Sequence, residues 1–164
     1  NGVTDEEIKQ GMASFRGVDR RFDFKIKTSR LVFLSDYAHH PAEIAQSVKS
    51  IRELYRDKKI TAIFQPHLYT RTRDFYKDFA DSLSLLDEVI LTEIYPAREQ
   101  PIPGVSSRLI YDNLRPGIEK CICPKEDILN LLSKKSVEVL IVLGAGDLDN
   151  YVPSITQLLE QQSK

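Results

Sequence analysis

Four side chains that could do acid–base or binding chemistry crowd one short stretch: Asp36, Tyr37, His39 and His40. The stretch follows a run of aromatic and branched apolar residues, Leu31 to Leu34, and precedes a helical pattern that begins at Pro41. An acid, a phenol and two imidazoles are therefore predicted at the turn between a strand and a helix. Open α/β sheets bind their ligands at such turns, beyond the carboxyl ends of the strands.

The chemistry available at this turn suits a ligand that carries both charges. Asp36 could hold an ammonium group, and the backbone N–H groups that open the following helix could bind a carboxylate or a phosphate. An amino acid has an ammonium and a carboxylate. The structural alternative is that Asp36 and His40 only cap the helix while Tyr37 only packs. Because four such groups occur together, we favour a functional site over capping.

A second cluster of polar residues follows the next predicted strand. Arg71 and Arg73 fall in the first turn of a predicted helix, where a cation opposes the helix dipole by about 0.3–1 kcal/mol. A bound anion would offset that cost, and so would surface pairing of Arg71 with Asp74 three residues on. The sequence leaves these two explanations open. His67 lies in the loop before this helix, where a lone histidine is usually structural.

Three further segments give weaker signals. Arg20 and Arg21 precede the first predicted strand, and a guanidinium group suits a phosphate, although surface arginines are commonly solvated. The loop 93–104 contains three prolines and is long for a connection between a strand and a helix. The turn 144–147, Gly-Ala-Gly-Asp, could let a ligand approach the backbone, but it lacks the third glycine of a dinucleotide-binding fingerprint.

The order of the elements predicts an α/β fold of Rossmann-like, three-layer type. Apolar runs predict about six strands, at 22–27, 31–34, 60–64, 88–92, 118–123 and 137–143. Patterns of 3.6-residue period predict the helices, at 4–17, 41–56, 70–86, 105–114, 124–134 and 151–162. Alternation of strands and helices implies right-handed crossovers, a mainly parallel sheet and helices on both of its faces. The first two strands are close enough to form a hairpin, which would make one edge antiparallel.

Composition excludes several classes of protein. The chain has 164 residues, a net charge of −1 and 29% charged residues, so no basic surface indicates a nucleic-acid partner. It has neither a secretory pattern nor an apolar run near the ~20 residues of a membrane span. Two cysteines, Cys121 and Cys123, are interpreted as reduced thiols of a cytoplasmic protein. No phosphate loop and no metal-binding spacing occurs, so we predict no metal ligands.

Five blocks of sequence, in order, resemble the C-terminal domain of the Mur ligases, in particular those that join L-alanine to UDP-N-acetylmuramate. The blocks are Phe15-Arg16-Gly17-Val18-Asp19-Arg20-Arg21-Phe22, Asp36-Tyr37-Ala38-His39-His40-Pro41, Phe64-Gln65-Pro66-His67 with Tyr69-Thr70-Arg71-Thr72, Tyr95-Pro96-Ala97-Arg98-Glu99 with Pro101-Ile102-Pro103-Gly104, and Gly144-Ala145-Gly146-Asp147. The resemblance covers essentially the whole chain. It implies that residues 1–16 end a preceding central ATPase domain or linker, and that residues 17–164 form the C-terminal domain.

The resemblance also implies a reaction. In this family ATP with Mg²⁺, bound mainly by the central domain, phosphorylates the carboxylate of UDP-N-acetylmuramate, and the amine of L-alanine attacks the acyl phosphate. The C-terminal domain closes on the N-terminal and central domains of the same chain, completes the ATP site and supplies the amino-acid site. The chain has no phosphate loop, so we expect it to be inactive alone.

Family roles transfer to six residues. Arg21, Asp36 and Tyr37 match positions that contact the nucleotide. Tyr37, His39, His67 and Arg71 match positions that line the amino-acid and acyl-phosphate region. Asp36 and His39 match the catalytic positions.

Two residues depart from the family pattern. Leu68 stands where the family usually has arginine, which removes one cation from the expected anion clamp. Ser35 precedes Asp36 where a second acid is common.

Three alternatives remain at this level. One is the related ligase that recycles murein tripeptide. A second is a metal-dependent phosphoesterase that would use Asp36, His39, His40 and His67. A third is a ligand-binding domain without catalytic activity.

Overall fold

The computed structural model describes residues 2–15 and 17–162, and its six strands form one sheet. The strands are β1 Asp23–Lys27, β2 Val32–Asp36, β3 Ile60–Phe64, β4 Glu88–Leu91, β5 Glu119–Ile122 and β6 Val139–Leu143. The α-helices are α1 Asp5–Ser14, α2 Pro41–Leu54, α3 Tyr69–Leu83, α4 Arg108–Asn113, α5 Ile128–Leu132 and α6 Val152–Gln162. Short 3₁₀ helices at Lys125–Asp127 and Asp147–Tyr151 precede α5 and α6.

The strand order in the sheet is β1-β2-β6-β3-β4-β5. β1 pairs with β2 in antiparallel fashion, and all the other neighbours are parallel. The prediction of a mainly parallel sheet with one antiparallel edge strand is therefore confirmed. β6, the last strand in the sequence, lies between β2 and β3, so the hydrophobic run near the end of the chain forms the centre of the sheet.

Apolar side chains cover both faces of the sheet, as strand periodicity requires. One face, which includes Leu34 and Phe64, packs against residues of α2, α3 and α4 such as Ile44 and Phe79. The opposite face, which includes Phe33, packs against α5 and α6. The predicted three layers, helix–sheet–helix, are present.

The carboxyl ends of the central strands meet at one edge. Asp36 of β2 and Phe64 of β3 both align with Leu143 of β6. Backbone bonds continue past the strands, from Gly144 N to Asp36 O at 3.2 Å and from Gln65 N to Leu143 O at 3.1 Å. The segments that follow β2, β3 and β6 therefore start side by side.

Helices α4 and α5 are shorter than their predicted bounds. The helix predicted at 105–114 begins at Arg108, because residues 102–105 form a turn in which Gly104 has φ +79°. The helix predicted at 124–134 is divided into a 3₁₀ turn and the short α5. In both cases the sequence located the element and the local turn shortened it.

The first helix starts as predicted and ends early. Thr4 caps α1, and its hydroxyl and the Glu7 carboxylate form a reciprocal capping box. The helix ends at Ser14 rather than at Gly17, because Phe15 is extended. The apolar side chains of Ile8 and Met12 are 49% and 75% exposed, so they do not pack into the core of the described residues.

Candidate functional site

Asp36 is a buried carboxylate held between β2 and α2. Its Oδ2 accepts a hydrogen bond from the Ser47 hydroxyl at 2.5 Å, and its Oδ1 accepts one from the Ala38 N–H at 3.3 Å. These bonds fix the carboxylate at the carboxyl end of β2. Asp36 does not cap α2, because His40 is the N-cap residue and the Glu43 carboxylate accepts the His40 N–H at 3.2 Å. The capping explanation of Asp36 is therefore wrong.

Four rings form a row across the carboxyl ends of the strands. The Tyr37 and His39 ring centroids lie 5.3 Å apart, those of His39 and His67 lie 6.1 Å apart, and the His67 ring stacks on Tyr95 at 5.5 Å. The structure thus brings together Tyr37, His39 and His67, which the sequence placed in two separate loops. Tyr95 completes the row, although sequence reasoning assigned it no role.

Arg71 contacts this row through His67. Its Nη1 atom is 3.4 Å from Nδ1 of His67. Burial lowers the pKa of His67, and the positive charge of Arg71 lowers it further, as does that of His39 when its ring is protonated. The predicted alternative of an Arg71–Asp74 pair is wrong, because Asp74 binds Arg73 through an Nε–Oδ1 contact of 2.7 Å. Among residues 2–15 and 17–162, Arg71 has no carboxylate partner.

The two arginines before β1 differ in their surroundings. The Arg20 guanidinium lies 4.8 Å from the Tyr37 ring centroid and its Nε is 3.1 Å from Oδ1 of Asp149. The Arg21 guanidinium is 5.7 Å from the same ring and belongs to an exposed residue. The Arg20 guanidinium is thus the closer of the two to the Tyr37 ring, and Arg21 is the more exposed residue.

A cavity of about 570 Å³ lies beside Asp36, between the segment before β1 and helix α2. Its lining residues are mostly small or polar, and they are Arg21, Phe22, Asp36, Ala38, Ala42, Glu43, Gln46, Ser47 and Ser50. The cavity therefore brings together two predicted site residues, Arg21 and Asp36, that the row of rings does not contain.

The loop after β4 is fixed to the start of α3 by Glu99. The Glu99 carboxylate accepts the Thr70 N–H at 3.0 Å and the Thr70 hydroxyl at 2.5 Å. These bonds lower the pKa of Glu99. The N–H of Leu68 also donates to the Tyr95 carbonyl at 2.9 Å. The start of α3, for which the sequence left a bound anion and surface pairing open, thus binds the Glu99 carboxylate of the same chain, a contact that the sequence did not indicate.

The glycine turn after β6 packs against protein atoms. A Cβ on Gly146 would lie 2.3 Å from Oε1 of Gln65 and 2.8 Å from Cβ of Tyr95. Gln65 is buried, its Nε2 donates to Oδ1 of Asp147 at 2.8 Å, and its Oε1 accepts the Leu148 N–H at 3.0 Å. Gly146 therefore permits the close packing that seats Gln65 behind Tyr95.

No group of three or more His, Cys, Asp or Glu residues that could hold a metal ion occurs within the described ranges 2–15 and 17–162. No helix in those ranges is long and apolar enough to cross a membrane. Cys121 and Cys123 are both free thiols, and burial raises the pKa of Cys123 to about 11.

Comparison with known proteins shows which family the chain resembles. The family model described as "Mur ligase, glutamate ligase domain" matches residues 20–148. The UDP-N-acetylmuramate–L-alanine ligase of Phocaeicola vulgatus is 78% identical over 162 residues, which are 99% of this chain and 35% of that protein. The ligase of the same name from Parabacteroides distasonis is 55% identical, with the same coverage of both chains.

Solved structures show the same relationship. The UDP-N-acetylmuramate–alanine ligase MurC of Thermotoga maritima superposes with a TM-score of 0.77 at 29% identity, over 99% of this chain and 35% of that one. A murein peptide ligase from Psychrobacter arcticus shares the fold, with a TM-score of 0.70 at 18% identity over 96% of this chain and 33% of that one. The chain spans about a third of the length of the relatives it matches. Since the family model covers most of its residues, this chain belongs to the Mur ligase family.

Proposed function

We propose that this chain is the C-terminal part of an ATP-dependent ligase that joins L-alanine to UDP-N-acetylmuramate through an acyl phosphate. The observation that carries the proposal is the convergence of His39, His67 and Arg71 at the carboxyl edge of the sheet. The Arg71 guanidinium, which lacks a carboxylate partner among the described residues, suits the carboxylate of an amino acid or the acyl phosphate. The names of relatives at 78% and 55% identity support the choice of substrates.

The site divides into two sides. Arg21, Asp36 and Tyr37, at or beside the 570 Å³ cavity, would contact the nucleotide. Tyr37, His39, His67 and Arg71 would line the amino-acid and acyl-phosphate region. Asp36 and His39 would take the catalytic roles, since they are the fixed carboxylate and the imidazole nearest to Tyr37.

The described residues fit a site that is shared with another domain. They contain no group of three metal ligands, whereas Mg²⁺ commonly uses one or two carboxylates together with phosphate oxygens and water. Mg²⁺ bound mainly by the central domain would neutralise charge on the transferred phosphate. We propose that ATP and Mg²⁺ would bind between this chain and the central domain.

Residues 1–16 would belong to the end of that central domain or its linker. This assignment is supported by the exposure of Ile8 and Met12 on α1, which gives the helix an apolar face that the described residues do not cover. We propose that the N-terminal and central domains of the same protein are the partners of this chain. ATP and a UDP-sugar are cytoplasmic metabolites, so the enzyme would act in the cytoplasm.

A chimaera tests the proposal. This chain would replace the corresponding 35% of the Phocaeicola vulgatus ligase, to which it is 78% identical. We expect phosphate release that requires ATP, UDP-N-acetylmuramate and L-alanine together, and no release by the chain alone. A soluble chimaera that releases no phosphate while the parent ligase does, or release by the isolated chain, would contradict the proposal.

The same assay distinguishes an L-alanine ligase from the related murein peptide ligase. The fold is shared with a murein peptide ligase, so the chimaera would also be given murein tripeptide in place of L-alanine. We expect L-alanine to be the better substrate by more than tenfold in kcat/KM. A preference for the tripeptide would assign the recycling reaction instead.

A further inference from the structure

We propose that His39 and His67 are held in opposite tautomers, so that His39 presents a proton acceptor to the bound substrates and His67 presents a proton donor. Glu43 and the Tyr37 carbonyl would set the first tautomer, and Arg71 the second. The chemical roles that we draw from these tautomers rest on the proposed ligase function. The tautomers themselves follow from contacts within the chain and can be measured without substrates.

The contacts of His39 place its proton on Nδ1. That atom lies 3.0 Å from the Tyr37 carbonyl oxygen and 3.4 Å from Oε2 of Glu43. A carbonyl and a carboxylate can only accept hydrogen bonds, so Nδ1 must be the donor. Nε2 of neutral His39 then carries the lone pair.

Glu43 is held in place as a charged acceptor. Its Oε2 also accepts the backbone N–H of His39 at 3.0 Å and that of His40 at 3.2 Å. The His39 N–H bond lowers the pKa of Glu43, burial opposes that effect, and the charges of His39 and Arg21 assist it. Glu43 therefore remains a carboxylate at neutral pH. It is a positioning residue, because it acts through His39.

The contact of His67 places its proton on the other nitrogen. Nδ1 of His67 lies 3.4 Å from Nη1 of Arg71. A guanidinium can only donate, so Nδ1 must accept and the proton of the neutral ring must be on Nε2. Burial and the positive charge of Arg71 lower the pKa of His67, as would a protonated His39, and Glu99 opposes them. His67 is therefore neutral at pH 7.

The two Nε2 atoms remain available to a ligand. Within residues 2–15 and 17–162, no hydrogen bond to Nε2 of His39 or His67 is present. The rings lie 6.1 Å apart, with the Tyr37 ring beyond His39 and the Tyr95 ring stacked on His67. Two imidazoles of opposite polarity therefore lie side by side between two aromatic rings.

This polarity matches the two needs of amide formation from an acyl phosphate. The amine nitrogen forms a C–N bond to the acyl carbon of the acyl phosphate. The bond between that carbon and the bridging oxygen breaks, and the electron pair of the broken bond leaves with the phosphate. The proton that the nitrogen loses passes to Nε2 of His39, which acts as a general base. Nε2–H of His67 donates to the acyl oxygen while negative charge develops on it.

Nitrogen NMR of the imidazole rings tests the tautomers directly. The chain contains only three histidines, and His40, whose ring lies 5.2 Å from Phe75, serves as an internal reference. Uniform ¹⁵N labelling and long-range ¹H–¹⁵N spectra above pH 7.5 would distinguish protonated from bare nitrogens. We expect a protonated Nδ1 in His39 and a protonated Nε2 in His67. The same tautomer in both rings would overturn the proposal.

A matched pair of variants tests whether Arg71 sets the tautomer of His67. Arg71→Met removes the donor to His67, so the His67 nitrogen shifts should move toward a mixture of tautomers and the pKa of His67 should rise. Arg73→Met removes an arginine of the same helix turn that pairs with Asp74, and it should change neither. An unchanged His67 in folded Arg71→Met would contradict the role of Arg71.

The outcome is separable from the ligase assay. A chimaera that forms no amide while the NMR shows opposite tautomers would refute the proposed function alone. An active chimaera in which His39 and His67 have the same tautomer would refute the proposed tautomers alone.

Discussion

The two ends of the parallel strands use charged residues in opposite ways. At the amino end, Glu88 is only 4% exposed and is bound by Lys135, by Lys59 at 3.2 Å and by the Thr61 hydroxyl at 3.1 Å. Lys59 also contacts Glu119 at 2.7 Å. Each of these charges thus has a partner of opposite sign, which is what a structural network requires.

At the carboxyl end the charges are incompletely paired. Arg71 contacts the neutral imidazole of His67. Within the described ranges, Nε2 of His39 and Nε2 of His67 have no hydrogen bond. The amino end therefore stabilises the fold, whereas the carboxyl end keeps polar groups available for a ligand. Four predictions test this difference, starting with the largest effect.

Loss of His39 should abolish most activity without unfolding the protein. In the active chimaera, His39→Gln should lower the rate of phosphate release by about 10²–10⁴-fold, because the proposed general base is lost. The matched control is His40→Gln, since the neighbouring ring packs near Phe75 and not in the row of rings. Equal losses in the two variants would show that the row has no special role.

Loss of Glu88 should destabilise the fold. Glu88→Ala leaves Lys59 and Lys135 without their buried partner, and should lower the free energy of unfolding by about 3 kcal/mol in urea titrations. Glu119→Ala removes a carboxylate that is 62% exposed, and should cost less than about 1 kcal/mol. A larger effect at Glu119 than at Glu88 would refute the structural role of the buried network.

A methyl group on Gly146 should disturb the support of the site. Gly146→Ala would press on Gln65 and Tyr95, with an expected cost of about 2 kcal/mol in the free energy of unfolding. Gly11→Ala is the control, because nothing lies within 4 Å of its Cβ position in helix α1. That change should stabilise the helix by about 0.5–1 kcal/mol. Equal effects would show that Gly146 is not closely packed.

The amino-end network should weaken in acid. Burial raises the pKa of Glu88, but hydrogen bonds from Lys135 and Lys59 outweigh it and hold the pKa below its ordinary value. The network therefore contributes fully above about pH 4.3, the usual glutamate pKa, and is lost as the pH falls through the lower folded value. The stability difference between the parent and Glu88→Gln should shrink in that range. A difference that grows with acid would contradict the direction of the shift.

Much of the fold could be predicted from local patterns. Each of the six strands was located, since short apolar runs bounded by polar or turn residues are distinctive. The hairpin of β1 and β2 was also predicted, because a Thr-Ser turn separates the two runs. Helix ends were less accurate, as at Arg108, because a left-handed Gly104 and a backbone turn delay the helix.

The site was predicted only in part. The sequence singled out Asp36, Tyr37, His39, His67 and Arg71, because several reactive groups follow strands within a few residues. It missed Tyr95 and Glu99, whose loop reaches the row of rings only because β4 pairs with β3. A glutamate and a tyrosine in a proline-rich loop carry no signal of that contact.

The sequence by itself determined the element order, the three-layer class and the residues that follow each strand, because these depend on periodicity and on neighbours along the chain. Only the tertiary structure decided which of those residues meet. It assigned Asp74 to Arg73 and left Arg71 to His67, and it faced the two imidazoles toward partners of opposite polarity. Those choices depend on strand order and helix rotation, which place side chains from distant segments within hydrogen-bonding distance.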